Sequence, residues 1–232
     1  MEKTPLILIP GLLCTKALWA AQTEALSDIA ECHVPDHTRH DTMAGIVRSI
    51  LDDAPERFAL AGLSMGGYIA LEIMEQAPER VTRLALLDTT AGADNDAGKS
   101  RRKRLIEQAR HDFEKFLKDA WLPYMLPEGK ENDEALIAKT LQMARETGVE
   151  AYCRQQTAIL NRSDARGVCE TVSCPTTIIV GNLDKPTPVA GHQEMHELIA
   201  GSQLHIIPNC GHLSTLEAPN QVSKLLRHWL TN

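Results

Sequence analysis

The strongest constraint on this chain is the spacing of its apolar runs. Six short stretches, at 6–9, 31–34, 58–61, 84–87, 177–180 and 204–207, have the composition of strands. Amphipathic stretches at about 17–27, 42–53, 65–77, 189–200 and 219–230 alternate with them. In the last of these, Val222, Leu225, Leu226, Trp229 and Leu230 fall on one helical face. Strand–helix alternation of this kind requires right-handed crossovers and a mostly parallel, six-stranded α/β sheet with helices on both faces.

The alternation breaks once. Residues 92–170 contain no convincing strand and are dense in charge, with 28 charged side chains in 79 residues against 27 in the other 153. Leu105, Ala109, Phe113, Phe116, Leu117 and Ala120 recur at helical spacing, and a second amphipathic stretch spans about 133–160. A strand-free insertion after the fourth strand cannot join the sheet and is expected on top of it. The expected division is therefore a core of 1–91 and 171–232 with a helical cap of 92–170.

Charge and composition exclude several function classes. The 232 residues carry a net charge of -7. All of that excess lies outside 92–170, which holds 14 basic and 14 acidic side chains. A nucleic-acid partner would need a basic stripe. The run Arg101, Arg102, Lys103, Arg104 is read instead as a solvated helix face. No membrane-spanning segment is expected, because the longest apolar stretch, 6–14, is short and contains Pro10 and Gly11. Residues 1–5 lead directly into strand-like sequence, so no signal peptide is expected either. The six cysteines, Cys14, Cys32, Cys153, Cys169, Cys174 and Cys210, form no CxxC pair and are read as free thiols of a cytoplasmic protein. His33, His37 and His40 crowd together, but no i, i+4 pair converges two rings. An exposed loop is expected there, and no metal.

The chemistry concentrates in three short motifs. Gly62-Leu63-Ser64-Met65-Gly66-Gly67 follows the third strand and opens a helix. G-x-S-x-G in that setting is a tight strand-to-helix turn that lifts the serine hydroxyl above the sheet edge. Such a hydroxyl needs a base, and the base needs an orienting group. His212, in Asn209-Cys210-Gly211-His212, follows the sixth strand, and Asp184, in Gly181-Asn182-Leu183-Asp184, follows the fifth. Both sit where a parallel sheet presents its carboxyl ends. Asp88, which ends the fourth strand, competes for the acid's role, although it also reads as a polar strand terminator. The backbone N–H of Met65 and that of Leu12, in Pro10-Gly11-Leu12-Leu13, are the expected donors to a developing oxyanion.

These motifs resemble the α/β-hydrolase family, in particular small bacterial capped serine hydrolases of esterase or lactonase type. The resemblance runs through Pro10-Gly11-Leu12-Leu13, the G-x-S-x-G turn, Ala77-Pro78-Glu79-Arg80-Val81, the Gly181–Asp184 segment and Cys210-Gly211-His212. It implies Ser64 as nucleophile, His212 as base and then acid, Asp184 as orienting carboxylate, and a strand order of 2-1-3-4-5-6. The chain departs from the family in three places. Two strands expected before the oxyanion loop are missing. Pro10-Gly11 replaces His-Gly. Residues 35–41 replace a glycine-rich loop.

The expected activity is cleavage of a small ester, thioester or lactone through an acyl-enzyme, without cofactor or metal. The partner is a small acyl substrate, with no nucleic acid or membrane, and either a monomer or a homodimer fits. The same constellation serves C–C bond hydrolysis, acyl transfer and cofactor-free perhydrolysis, and a ligand-binding protein on this fold is a further alternative. Leu13, Trp121, Tyr124, Met125, Met143, Tyr152, Arg154 and Leu213 are the candidate pocket residues. Arg154 is either a surface side chain or, if it points inward, a sign of a carboxylate-bearing substrate.

Overall fold

Strands covered on both faces must be apolar at nearly every position, and Phe58–Leu63 and Thr176–Gly181 are buried throughout. The computed structural model describes residues 3–232. Its strands are β1 (Thr4–Ile9), β2 (Ala30–His33), β3 (Phe58–Leu63), β4 (Val81–Leu87), β5 (Thr176–Gly181) and β6 (Gln203–Ile207). They form one all-parallel sheet in the order β2-β1-β3-β4-β5-β6. The edge strands β2 and β6 are only partly buried.

Alternation along each strand sorts side chains between two layers. Ile7, Ile9, Phe58, Leu60, Leu84 and Leu86 pack on one face, under α2 (Met43–Asp53) and α3 (Met65–Gln76). Leu6, Leu8, Ala59, Ala61, Ala85 and Leu87 pack on the other, under Leu18, Trp19 and the C-terminal helix Pro219–Thr231. Leaving α1 for the short helix Ala20–Ala25, the segment between β4 and β5 holds α4 (Asp96–His111), α5 (Phe113–Phe116), α6 (Leu122–Met125), α7 (Glu134–Leu160) and α8 (Arg166–Thr171). After β5 come α9 (Val189–Leu198), α10 (Ser214–Glu217) and α11 (Pro219–Thr231).

Three helical expectations need correction. The stretch 17–27 is a 3₁₀ turn, Lys16–Trp19, followed by α1, because the Thr15 hydroxyl caps the Ala17 N–H and starts a tight turn. The periodic run from Leu105 to Ala120 is not one helix. Asp112 leaves the helical region (φ -153°) and its carboxylate accepts from the Lys115 N–H, so α4 stops and α5 begins. A π-turn over Leu117–Trp121 then joins α5 to α6. The long α7 kinks at Gly148, whose φ of 79° only glycine adopts easily.

The inserted helices have their own apolar cluster, built from Ala109, Phe116, Leu117, Trp121, Leu141, Ala144 and Tyr152 among others. Among the described residues, Leu13, from the loop after β1, is the one fully buried residue from outside the β4–β5 segment that enters it. Among the described residues no helix is long and apolar enough to cross a membrane.

Candidate active site

Ser64 stands between β3 and α3 with φ 56° and ψ -115°. A non-glycine residue holds such a conformation, at a cost of about 1–3 kcal/mol, only when its surroundings over-determine it. Here the Ser64 N–H donates to the Leu87 carbonyl at 2.9 Å, and the Ser64 carbonyl accepts from the Gly67 N–H at 2.9 Å and from the Thr89 hydroxyl at 2.8 Å. The flanking glycines permit the close approach: a Cβ on Gly62 would collide with the Gly66 carbonyl, and one on Gly66 with the Ile9 carbonyl. Among the described residues, Leu13, Ser64, Asp88 and Asn209 are the non-glycine residues with positive φ. All four follow the carboxyl ends of strands, so backbone strain gathers at that edge of the sheet.

The same edge carries the titratable groups. Ser64 Oγ lies 2.8 Å from His212 Nε2. His212 Nδ1 lies 2.9 Å from each carboxylate oxygen of Asp184. Asp184 also accepts from the Thr187 N–H and hydroxyl, each at 2.8 Å. Burial disfavours its charge, yet His212 and these hydrogen bonds outweigh that and hold its pKa below 3.8. Burial likewise disfavours the imidazolium of His212, but the charge of Asp184 and its hydrogen bond raise the pKa above 6.5. Glu217 braces the loop around His212, accepting from the N–H groups of Gly211 (2.8 Å) and Leu213 (3.0 Å).

Asp88 makes no hydrogen bond to His212. Its two oxygens accept from the N–H groups of Gly181 and Ser214, both at 3.1 Å. It therefore ties β4 to the segments that carry Asp184 and His212. Burial and the nearby Asp184 charge push its pKa well above 3.8. His192, also fully buried, accepts from the Thr89 N–H at 2.8 Å, and burial lowers its pKa to about 4.

A cavity of about 310 Å³ opens over Ser64 and His212. Leu12, Trp121, Tyr124, Met125, Tyr152 and Leu213 line it. Three expected pocket residues lie outside the lining. Leu13 is buried in the apolar cluster of the insertion, Met143 packs among side chains of the sheet's other layer, and Arg154 donates from Nε to the Thr38 carbonyl at 2.8 Å. The backbone N–H groups of Leu12 and Met65 meet no acceptor among the described residues, and Met65 opens α3, where N–H groups are unpaired by geometry.

Several contributors went unread. His37 is not in an exposed loop: it is 3% exposed, and its Nε2 lies 3.1 Å from the Gly11 carbonyl and 3.0 Å from Gln155 Nε2. Gln155 Oε1 accepts from the Leu13 N–H at 3.2 Å. The loop after β1 is thus clasped between residue 37 and α7, and an imidazole again reaches that loop despite the loss of the His-Gly pair. His33 and His40 are exposed, and no group of metal-binding side chains occurs among the described residues. Thr187, three residues beyond Asp184, had a sequence signal in the cap-like D-x-x-T pattern. Gln155 and His37 had none, since their partner is more than 25 residues away.

Residues 6–225 match the family described as the alpha/beta hydrolase family. The chain belongs to that family. A pimeloyl-[acyl-carrier protein] methyl ester esterase of Nitrosomonas europaea is 28% identical over 233 residues, covering 93% of this chain and 91% of the relative. The solved structure of a thermophilic esterase from Thermogutta terrifontis superposes with a TM-score of 0.89 at 28% identity, covering 99% of this chain and 90% of that one. The enol-lactonase of Burkholderia xenovorans shares the fold, with a TM-score of 0.87 at 23% identity over 100% of this chain and 93% of its own. With such relatives this alpha/beta hydrolase is a hydrolytic enzyme.

Proposed function

We propose that the chain is a serine hydrolase that cleaves a small ester, thioester or lactone through an acyl-enzyme on Ser64. The observation that carries this reading is the unbroken hydrogen-bond chain Ser64–His212–Asp184 at the floor of the cavity. His212 takes the hydroxyl proton as Ser64 Oγ bonds to the carbonyl carbon. The carbonyl oxygen gains the electron pair and accepts hydrogen bonds from the Leu12 and Met65 N–H groups. His212 then protonates the leaving group, and water, deprotonated by the same ring, releases the acid and restores Ser64. Losing one oxyanion donor costs about 2.7–4 kcal/mol of transition-state stabilisation. Asp184 fixes the ring so that Nε2 faces Ser64, and it stabilises the imidazolium formed in transit.

In this reading residues 92–170 are the cap that roofs the cavity, over a core of 1–91 and 171–232. The six unpaired cysteines, three of them with thiol pKa values pushed well up by burial, suit a reducing, cytoplasmic setting. The reading is tested with chromogenic acyl esters from acetyl to decanoyl. Short chains are expected to give a burst followed by turnover, and Ser64→Ala to abolish both. Undiminished turnover in Ser64→Ala would overturn the mechanism.

A further inference from the structure

The cavity over Ser64 is strongly cationic on its cap side. Arg101, Arg102 and Arg162 all line it, against the single carboxylate of Asp94. Asp94 is already shared. It accepts from Arg102 through Nε and Nη2, and from Arg162 Nη2 at 3.3 Å. The remaining Nη1 of Arg102 donates to Gln156 Oε1 at 2.8 Å. Arg162 spends its other terminal donors on the Ile159 and Gly92 carbonyls and lies 4.3 Å above the Tyr68 ring. Arg101 has no carboxylate partner among the described residues. Its guanidinium rests 4.1 Å over the Tyr124 ring, with Nη1 donating to the Tyr124 hydroxyl at 3.1 Å.

A purely structural brace between α4 and α7 would pair its charges one to one. Here two positive charges are left over in the lining, and Arg101 has open donors toward solvent. The same wall is rich in donors and poor in acceptors: Trp121 Nε1 and Arg162 Nε are buried without a partner. An aromatic shelf under a guanidinium fixes its plane, and a planar fork of N–H groups matches a carboxylate in two-point contact. The cavity, about 310 Å³, is at the small end of ligand pockets, which run from about 300 to 1,000 Å³. A short substrate fits that space, and an enclosed nucleotide does not.

We propose that the substrate carries a carboxylate remote from the scissile carbonyl, that Arg101 on its Tyr124 shelf binds it, and that Arg102, held by Asp94 and Gln156, supplies additional field. The inference rests on the hydrolase reading of Ser64 and names the substrate class of that site: half-esters of short dicarboxylic acids, or short esters whose alcohol bears the carboxylate.

The test compares kcat/KM for matched charged and uncharged esters. One pair is p-nitrophenyl hemiglutarate against p-nitrophenyl pentanoate, with the charge on the acyl side. The other is 4-carboxyphenyl pentanoate against phenyl pentanoate, with the charge on the alcohol side. In one pair the charged ester is expected to win by about tenfold or more. Arg101→Gln is expected to reduce that ratio by about 10- to 100-fold, as loss of a hydrogen bond to a charged group does. Lys103→Gln and Arg104→Gln, neighbours outside the lining, should keep the ratio, and salt should lower it. A ratio near one for both pairs, or a ratio that survives Arg101→Gln, overturns the proposal. Calorimetry with glutarate and the Ser64→Ala protein separates the two readings. Binding that disappears with added Arg101→Gln supports the subsite even if no ester is hydrolysed, whereas Ser64-dependent turnover without binding or charge preference removes the subsite and leaves the hydrolase.

Discussion

The carboxyl edge of the sheet and the helical wall above it meet in one cavity, yet they were built by different rules. At the edge, Ser64, Asp184 and His212 each sit within a few residues of a strand end, and three parallel strands carry them to one place. On the wall, Arg102 of α4 meets Gln156 of α7 and Arg162 meets Asp94 across tens of residues, and Arg101 rests on Tyr124. The edge is strained and pinned by backbone hydrogen bonds. The wall is held by side chains. On the proposed reading chemistry lies on the first and selection on the second, so the two can change independently, and substitutions should separate them.

The largest effect is expected at Asp184. Asp184→Asn leaves the packing but loses the charge that orients His212, so kcat should fall by about 10⁴-fold. The pH profile gives a second readout. His212 must be neutral to accept the Ser64 proton, and its pKa is raised above 6.5, so kcat/KM should fall on the acid side with a midpoint above that value. Without the Asp184 charge, burial is left to dominate and the midpoint should move to lower pH. Asp88→Asn is the companion. It touches no reacting atom, and should cost about 1–3 kcal/mol of stability, because one of two buried N–H groups loses its acceptor. A larger kinetic loss at Asp88 than at Asp184 would break the account of the edge.

Next comes the joint between the two regions. Gln155 of α7 accepts from the Leu13 N–H, so Gln155→Leu leaves that donor buried and unpaired. A drop of about tenfold in kcat is expected, with KM little changed, if the clasp positions the Leu12 donor. An altered KM with constant kcat would assign Gln155 to the wall instead. The smallest effect is expected at Arg154. Its guanidinium bonds the Thr38 carbonyl outside the lining, so Arg154→Gln should shift kcat/KM for a charged ester by less than threefold.

The contrast also explains what was legible before folding. Continuous apolar runs located the four inner strands, because a doubly covered parallel strand has little room for polar residues, and the shorter, mixed runs of the half-covered edge strands β2 and β6 took their place from the strand–helix alternation. The side chains of the proposed triad could be brought together from the sequence because the strained turn demands glycine around Ser64, and because loops after strand ends are short. The wall was not. A periodicity that ran through Asp112 hid the break between α4 and α5. Arg101 and Arg102 looked like a solvated run, since a charged helix shows its cavity face only once a neighbour covers it. Arg154 reads from the sequence as either a surface or an inward-pointing side chain, and that part of α7 turns it toward residue 38. Pairings as distant as Arg102–Gln156 leave no local trace.

The central claim is that Ser64 is acylated. Rapid quenching during turnover of a slow aryl ester, followed by proteolysis and mass spectrometry, reads it directly. The acyl mass is expected on the peptide containing Ser64, accumulating in Asp184→Asn if deacylation slows more than acylation, and absent from Ser64→Ala. An acyl mass on another residue, or hydrolysis at full rate with none on Ser64, would contradict the mechanism.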